Sequence, residues 1–215
     1  MVGMAREFRD RADAGRRLAA RLEHLRGREG LLVLGLPRGG VVVAEQVARE
    51  LGAPLDVLVV RKLGFPGHEE LALGAVASGG AIVVNDDVLA VAGLDDAELQ
   101  RRAAARLTVV EEMEQRLRGD RPPLELDGRV VVLVDDGLAT GATMRVAAVA
   151  ARRAGASEVV VAAPVASPEA VHSLEALADE VVCVDVPFHL RAVGLSYRDF
   201  SAVGEDEVGR LLQSF

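Results

Sequence analysis

The sequence predicts an α/β protein: a doubly wound, mainly parallel five-stranded sheet flanked by helices, with an inserted loop and hairpin and a small C-terminal hood. Three observations predict it. Short apolar runs of strand length recur at 31–35, 56–61, 129–134, 158–163 and 181–184, without polar alternation, as strands buried on both faces do. Segments of helical spacing, several closed by Gly, separate most of them. Polar, Gly-rich and cationic residues gather just after the runs, where open α/β sheets bind ligands.

Each element follows in order. Residues 6–27 carry apolar side chains at Phe8, Ala12, Ala19, Leu22 and Leu25, a helical spacing that stops at Gly27. Leu31-Leu32-Val33-Leu34-Gly35 is the first buried strand, and 39–51 is its helix, closed by Gly52. Residues 56–61 form the second strand. The rhythm then breaks: Leu63 to Glu70 reads as loop, and 75–78 and 81–84 flank Gly79-Gly80 as a two-residue hairpin. A charged helix over 95–117 ends before Arg121-Pro122-Pro123. Strand 129–134, helix 141–154, strand 158–163, helix 168–177 and strand 181–184 resume the pattern. One domain spans 1–215, with its core near 28–184, the insertion at 62–85, and a hood at 185–215 joined by part of the N-terminus.

Composition narrows the function. Against 33 acidic side chains stand 25 basic ones, a net charge of −8, which argues against non-specific nucleic-acid binding while leaving room for a local basic pocket. No apolar run approaches the roughly 20 residues of a membrane span. Arg6, Arg9 and Arg11 interrupt the N-terminus with no apolar stretch after them, so no signal peptide is expected. The expectation is a soluble cytoplasmic protein with no membrane or nucleic-acid partner. A single cysteine, Cys183, makes no intrachain disulfide or cysteine metal cluster and reads as core. Lys62 is the only lysine beside 24 arginines, which singles it out, since the two cations are not interchangeable at every site.

The sharpest segment follows the third strand. Val130-Val131-Val132-Leu133-Val134 delivers Asp135 and Asp136 to the sheet edge, and small residues then turn the chain into a helix. Ala139, Thr140, Gly141, Ala142 and Thr143 offer backbone amides and two hydroxyls at that helix N-terminus, an anion site. Carboxylates beside it suit sugar hydroxyls, so the pattern suggests a ribose 5-phosphate. The bland alternative is a strand–turn–helix with Asp and Thr as caps.

This stretch, Val-Val-Leu-Val-Asp-Asp-Gly-Leu-Ala-Thr-Gly-Ala-Thr at 131–143, closely resembles the phosphoribosyl-pyrophosphate signature of the type I phosphoribosyltransferases. Receiver domains also place acids after a strand but lack the Thr-Gly-x-Thr loop. The resemblance covers most of the chain, and extends to a branch of that family whose loop reads Arg-Lys-Leu-Gly-x-Pro-Gly, here from Arg61 to Gly67. It implies that Asp135 and Asp136 are catalytic, orienting the ribose hydroxyls. It implies that 139–143 hold the 5-phosphate, and that Arg38, Gly39 and Gly40 bind pyrophosphate, with Lys62 as a facing cation. It implies that residues 63–71 and the hairpin close over the ligands, and that Phe188 or Tyr197 in the hood stacks on the acceptor; alternatively these aromatics seal the hood onto the core. The implied reaction is transfer of a 5-phosphoribosyl group from phosphoribosyl pyrophosphate to a nitrogen acceptor, a nucleobase-like heterocycle. It would release pyrophosphate with Mg²⁺ held by substrate oxygens and water rather than by protein ligands. Homodimers are common in the family. A regulator that binds phosphoribosyl pyrophosphate without chemistry, or a sugar-phosphate hydrolase, are the alternatives.

Overall fold

The computed structural model describes residues 8–65, 68–84 and 96–215. Its main sheet has five parallel strands: β1 (Leu31–Gly35), β2 (Leu55–Val57), β6 (Val130–Val134), β7 (Glu158–Val165) and β8 (Glu180–Asp185). They run in the order β2-β1-β6-β7-β8. The helices are α1 (Arg11–Ala19), α2 (Gly39–Leu51), α3 (Asp96–Arg118), α4 (Ala142–Arg153), α5 (Pro168–Glu175) and α6 (Glu205–Gln213). The doubly wound architecture is as the sequence predicts, and among the described residues no helix is long and apolar enough to cross a membrane.

The unbroken apolar runs serve two faces at once. On one face Leu31, Val33, Val130, Val132, Val160 and Ala162 pack against α1 and α2. On the other, Leu32, Leu34, Val131, Leu133, Val159 and Val161 share a cluster with Met144, Ala148 and Ala151 of α4 and Leu174 of α5. Alternate residues of every central strand therefore enter different cores, which is why no polar residue interrupts them.

The insertion differs from the reading of the sequence. The expected second strand is two strands: β2 stays in the main sheet, and the chain passes into β3 (Val60–Phe65) of a separate sheet. β3 pairs antiparallel with β4 (His68–Ala77), which pairs antiparallel with β5 (Ala81–Val84). Much of the expected loop 63–70 is therefore strand; Pro66 and Gly67 lie outside the described residues, as does 85–95. The local turn residues misled because cross-strand pairing outweighs them: Arg61 lies opposite Val76, Lys62 opposite Ala75 and Leu63 opposite Gly74. Gly74 is required there, since a Cβ would come within 2.1 Å of the Val83 carbonyl oxygen. The hairpin at Gly79-Gly80 is present, with both glycines at positive φ. Ser78 continues the β3–β4 ladder: its hydroxyl accepts from the Val59 amide at 2.9 Å, and its own amide donates to the Val59 carbonyl at 2.9 Å.

The helical reading of 6–27 resolves into α1 and a single 3₁₀ turn (Glu23–Leu25). Asp10 caps α1 by accepting from the Asp13 amide at 2.7 Å. Gly15 lets α1 lie against α2: a Cβ there would meet the Val43 carbonyl oxygen and the Gln46 Cβ at 2.7 Å. At the other end of the chain, Phe8 bridges Tyr197, with the Phe8 amide donating to Ser196 O and the Arg198 amide to Phe8 O, both at 2.8 Å. The N-terminal segment and the hood thus form one layer over the carboxyl ends of the strands.

Candidate functional site

Parallel pairing puts the two key turns side by side. Gly35 is opposite Val134, and the Leu36 amide still donates to Val134 O at 2.8 Å, so the turn after β1 runs beside the turn after β6. The closeness demands glycine. A Cβ on Gly39 would lie 1.9 Å from Asp136 Oδ2, and one on Gly40 would lie 2.7 Å from Val134 O and 2.9 Å from Asp135 Cα. Gly39 and Gly40 are therefore brought directly against Asp135 and Asp136. Arg38 is exposed at the N-cap of α2, and the Pro37–Arg38 peptide is cis.

The phosphate-type loop is held from below. Leu138 extends the pairing with β7, donating to Val165 O at 2.9 Å; the Ser167 amide donates back to Leu138 O, and the Ser167 hydroxyl to Ala139 O at 2.7 Å. Gly141 adopts the left-handed conformation at the N-cap of α4, φ 68°. Gly141 has no side chain to cap α4; the Ala142 amide donates to Thr140 Oγ1 at 3.4 Å, and the next amides of the first turn have no intrahelical partner. Ala139 and Thr140 are exposed, and Ala142 and Thr143 half-buried.

A cavity of about 370 Å³ opens between these turns and the small sheet, lined by Leu36, Pro37, Leu58, Val60, Arg61, Lys62, Asp135 and Thr143. Lys62 reaches it from β3, not from the end of a main-sheet strand as the sequence suggested. Arg61 also donates to the Met113 sulfur at 2.9 Å.

The acid pair is electrostatically uneven. Burial pushes Asp135 up to about 8, and the neighbouring Asp136 charge adds to the rise. Asp135 Oδ1 accepts from the Asp136 amide at 2.8 Å. Burial also raises Asp136, but Arg11 opposes it through a hydrogen bond from Nε to Oδ2 at 2.7 Å and through its charge. Burial thus favours the protonated form of Asp135, while Arg11 makes Asp136 the better acceptor. Two carboxylates do not make a cation cage, and among the described residues no group of three or more His, Cys, Asp or Glu could hold a metal.

The hood residues divide. Tyr197 is 6% exposed, stacked in tilted contacts between Phe8 at 5.3 Å and Phe200 at 5.0 Å, and its hydroxyl donates to Asp136 O at 2.5 Å. Its ring seals the hood and offers no free face for stacking, which corrects that expectation. Phe188 is 83% exposed, meets His189 edge to face, and does not line the cavity. Cys183 is partly buried within β8, and desolvation pushes its thiol up to about 11.

Two features escaped the sequence reading. Arg11 belongs to the acid pair, although 125 positions separate it from Asp136. Val193 of the hood packs over Gly137, where a Cβ would come within 2.3 Å of Val193 Cγ1. Only a lone Gly15 inside an otherwise good helix hinted that α1 approaches the core closely.

Comparison with known proteins gives a consistent picture. A family model described as phosphoribosyl transferase domain matches residues 6–199. A curated Mycobacterium tuberculosis (strain H37Rv) protein named "Putative phosphoribosyl transferase Rv0571c" is 48% identical over 201 residues, covering 94% of this chain and 45% of that protein. The chain therefore spans about half the length of the curated relatives it matches. Among solved structures, TT1426 from Thermus thermophilus is similar with a TM-score of 0.87 and 50% identity, covering 97% of this chain and 98% of that one. The AQ2163 protein from Aquifex aeolicus shares the fold, with a TM-score of 0.50, 15% identity, and 82% and 74% coverage.

Proposed function

The chain belongs to the phosphoribosyl transferase domain family, and we propose that it transfers the 5-phosphoribosyl group of phosphoribosyl pyrophosphate to a nitrogen acceptor, releasing pyrophosphate. The observation that carries this reading is the convergence of the acid pair, the Gly39-Gly40 turn and the start of α4 at one end of one sheet. In the reaction the acceptor nitrogen bonds to the anomeric carbon while the carbon–oxygen bond to pyrophosphate breaks. The protein's part is positioning and charge stabilisation.

Asp136 accepts hydrogen bonds from the ribose hydroxyls; Asp135, whose burial favours its protonated form, adds a donor or, once ionised, a second acceptor. The backbone amides of 139–143 and the Thr140 and Thr143 hydroxyls take the 5-phosphate at this helix start. Gly39, Gly40 and Arg38 take the pyrophosphate, with Lys62 facing it across the cavity. The acceptor is a nucleobase-like heterocycle held under the hood. Its exposed aromatic, Phe188, is the hood residue we assign to stacking, and a second copy of the chain is a candidate partner.

Mg²⁺ fits this donor set as a hydrated ion held mainly by substrate oxygens, because the site supplies only two carboxylates and Arg11 already engages one. When bound, it neutralises the leaving pyrophosphate.

The test is pyrophosphate release from phosphoribosyl pyrophosphate and Mg²⁺, with and without a panel of purines, pyrimidines and related heterocycles. Release that depends on an acceptor supports the transferase. Binding without release from any acceptor points instead to a non-catalytic regulator, and acceptor-independent release with ribose 5-phosphate to a hydrolase. Turnover that survives in a folded Asp135→Asn/Asp136→Asn protein refutes the assignment.

A further inference from the structure

We propose that Arg11 is a positioning residue of this site, acting through Asp136: it fixes that carboxylate toward the ribose position and ties it to the hood. The proposal rests on the phosphoribosyl-pyrophosphate reading of the acid pair.

The geometry is specific. The Arg11 side chain is only 11% exposed and Asp136 17%, so the pair sits largely out of water. Its Nε donates to Asp136 Oδ2 at 2.7 Å, a charge-assisted bond of ordinary short length. Its Nη1 donates to the Ser201 carbonyl at 2.8 Å, and its guanidinium carbon stands 3.9 Å above the centre of the Phe200 ring. One planar cation therefore meets the catalytic carboxylate on one edge and the hood on another edge and one face. Lysine, a point charge on a flexible stem, cannot make all three contacts in that geometry.

The placement of Arg11 is built in. It lies one turn before Gly15 on the same face of α1, and Gly15 is what allows that face to press on α2. The pair reaches the pyrophosphate turn too, since a Cβ on Gly39 would stand 2.8 Å from Arg11 Nε. Tyr197 adds a second tie from the hood to the same residue, through the Asp136 carbonyl. Asp136 is thus held at its side chain by α1 and at its backbone by the hood.

The arrangement leaves two roles for Arg11: a direct contact to pyrophosphate, or action through Asp136. The carboxylate already occupies its Nε and the hood its Nη1 and ring face, which favours action through Asp136.

A double-mutant cycle on the intact protein separates them. Wild type, Arg11→Met, Asp136→Asn and the double variant are titrated with phosphoribosyl pyrophosphate in Mg²⁺ by calorimetry, with thermal melts reporting the folded fraction. Arg11→Met is expected to weaken binding about tenfold or more in the wild-type background and less than about twofold in the Asp136→Asn background. Arg11→Lys is expected to recover most of the affinity. It should not recover the ligand-induced slowing of hydrogen exchange at the Arg198 and Asp199 amides, which wild type should show. If Arg11→Met fails to fold, the double variant against Asp136→Asn, together with Arg11→Lys, still decides the matter, because neither leaves a buried lone carboxylate. Equal losses in both backgrounds would assign Arg11 to a direct ligand contact and overturn the proposal. So would a lowered melting temperature with unchanged affinity, which is a purely structural role. Wild type that does not bind phosphoribosyl pyrophosphate at all would overturn the reading of the site itself, a different failure from normal wild-type binding that Arg11→Met leaves unchanged.

Discussion

Replacing Gly39 by alanine probes the contact on which the whole site depends. The added Cβ would stand 1.9 Å from Asp136 Oδ2, where ordinary contact begins at 3.4 Å, so something must yield by about 1.5 Å. The carboxylate cannot swing freely, because Arg11 holds it at 2.7 Å and lies 2.8 Å from the same Cβ. Either Asp136 leaves its partner or the start of α2 retreats from the acid pair, and both displace groups proposed to meet the substrate. A misplacement of this size costs on the order of 10²-fold in rate, about 2.7 kcal/mol of transition-state stabilisation. The fold should lose only about 1–3 kcal/mol, the usual cost of overpacking. The assays are calorimetric affinity for phosphoribosyl pyrophosphate, pyrophosphate release, and chemical denaturation on the same preparations. Gly209→Ala is the matched control: it lies within α6, its Cβ would meet nothing nearer than Leu117 O at 4.0 Å, and it should gain about 0.5–1 kcal/mol of stability. A folded Gly39→Ala protein with affinity and turnover within about twofold of wild type would refute the account of why this turn carries glycine.

Three further outcomes are expected. Asp135 is raised from 3.8 to about 8, so the folded protein holds a proton that the unfolded chain releases. Its contribution to stability is full below the ordinary carboxylate range and is lost as pH rises to about 8, with a slope of up to about 1.4 kcal/mol per pH unit. Denaturation of Asp135→Asn and wild type at pH 5 and pH 8.5 should show the difference shifting in favour of Asn at the higher pH; parallel curves would mean that Asp135 is ionised in the fold. Arg118 pairs with Asp56 through two bonds at 2.9 and 3.0 Å, while Arg121 stands 3.7 Å from the same carboxylate and the Val57 amide donates to it, so Arg118→Met should cost about 1–3 kcal/mol with little effect on ligand affinity. Cys183, with its thiol pushed up to about 11, should resist maleimide at pH 7.5 in the folded protein and react once it is unfolded.

The sequence was most informative where local pattern and tertiary demand coincide. Residues 31–35 and 130–134 read as buried strands because every position is apolar, and each supplies side chains to two cores. The acid pair and the Thr-Gly-Ala-Thr turn were legible because both lie on one short segment at fixed spacing. Gly39 and Gly40 were picked out as well, although for approach to a ligand; the structure adds that Asp136 itself leaves no room for a Cβ. The reading failed at 63–65, where Gly64 and its neighbours suggest a loop and pairing with β4 makes a strand. At Tyr197 it left stacking and sealing both open, and burial of the ring between Phe8 and Phe200 fits sealing.

By itself the sequence determined the sheet type, the alternation of core strands and helices, and the motif after the third strand of the core pattern, because periodicity and short motifs are local properties. Only the tertiary structure decided that Lys62, from a second sheet, lines one cavity with Asp135, that Arg11 closes on Asp136, and that the N-terminus and hood form one layer. Those contacts join residues tens to well over a hundred positions apart. Such contacts are selected by packing and charge once the chain has closed, and leave no spacing in the sequence from which they could be read.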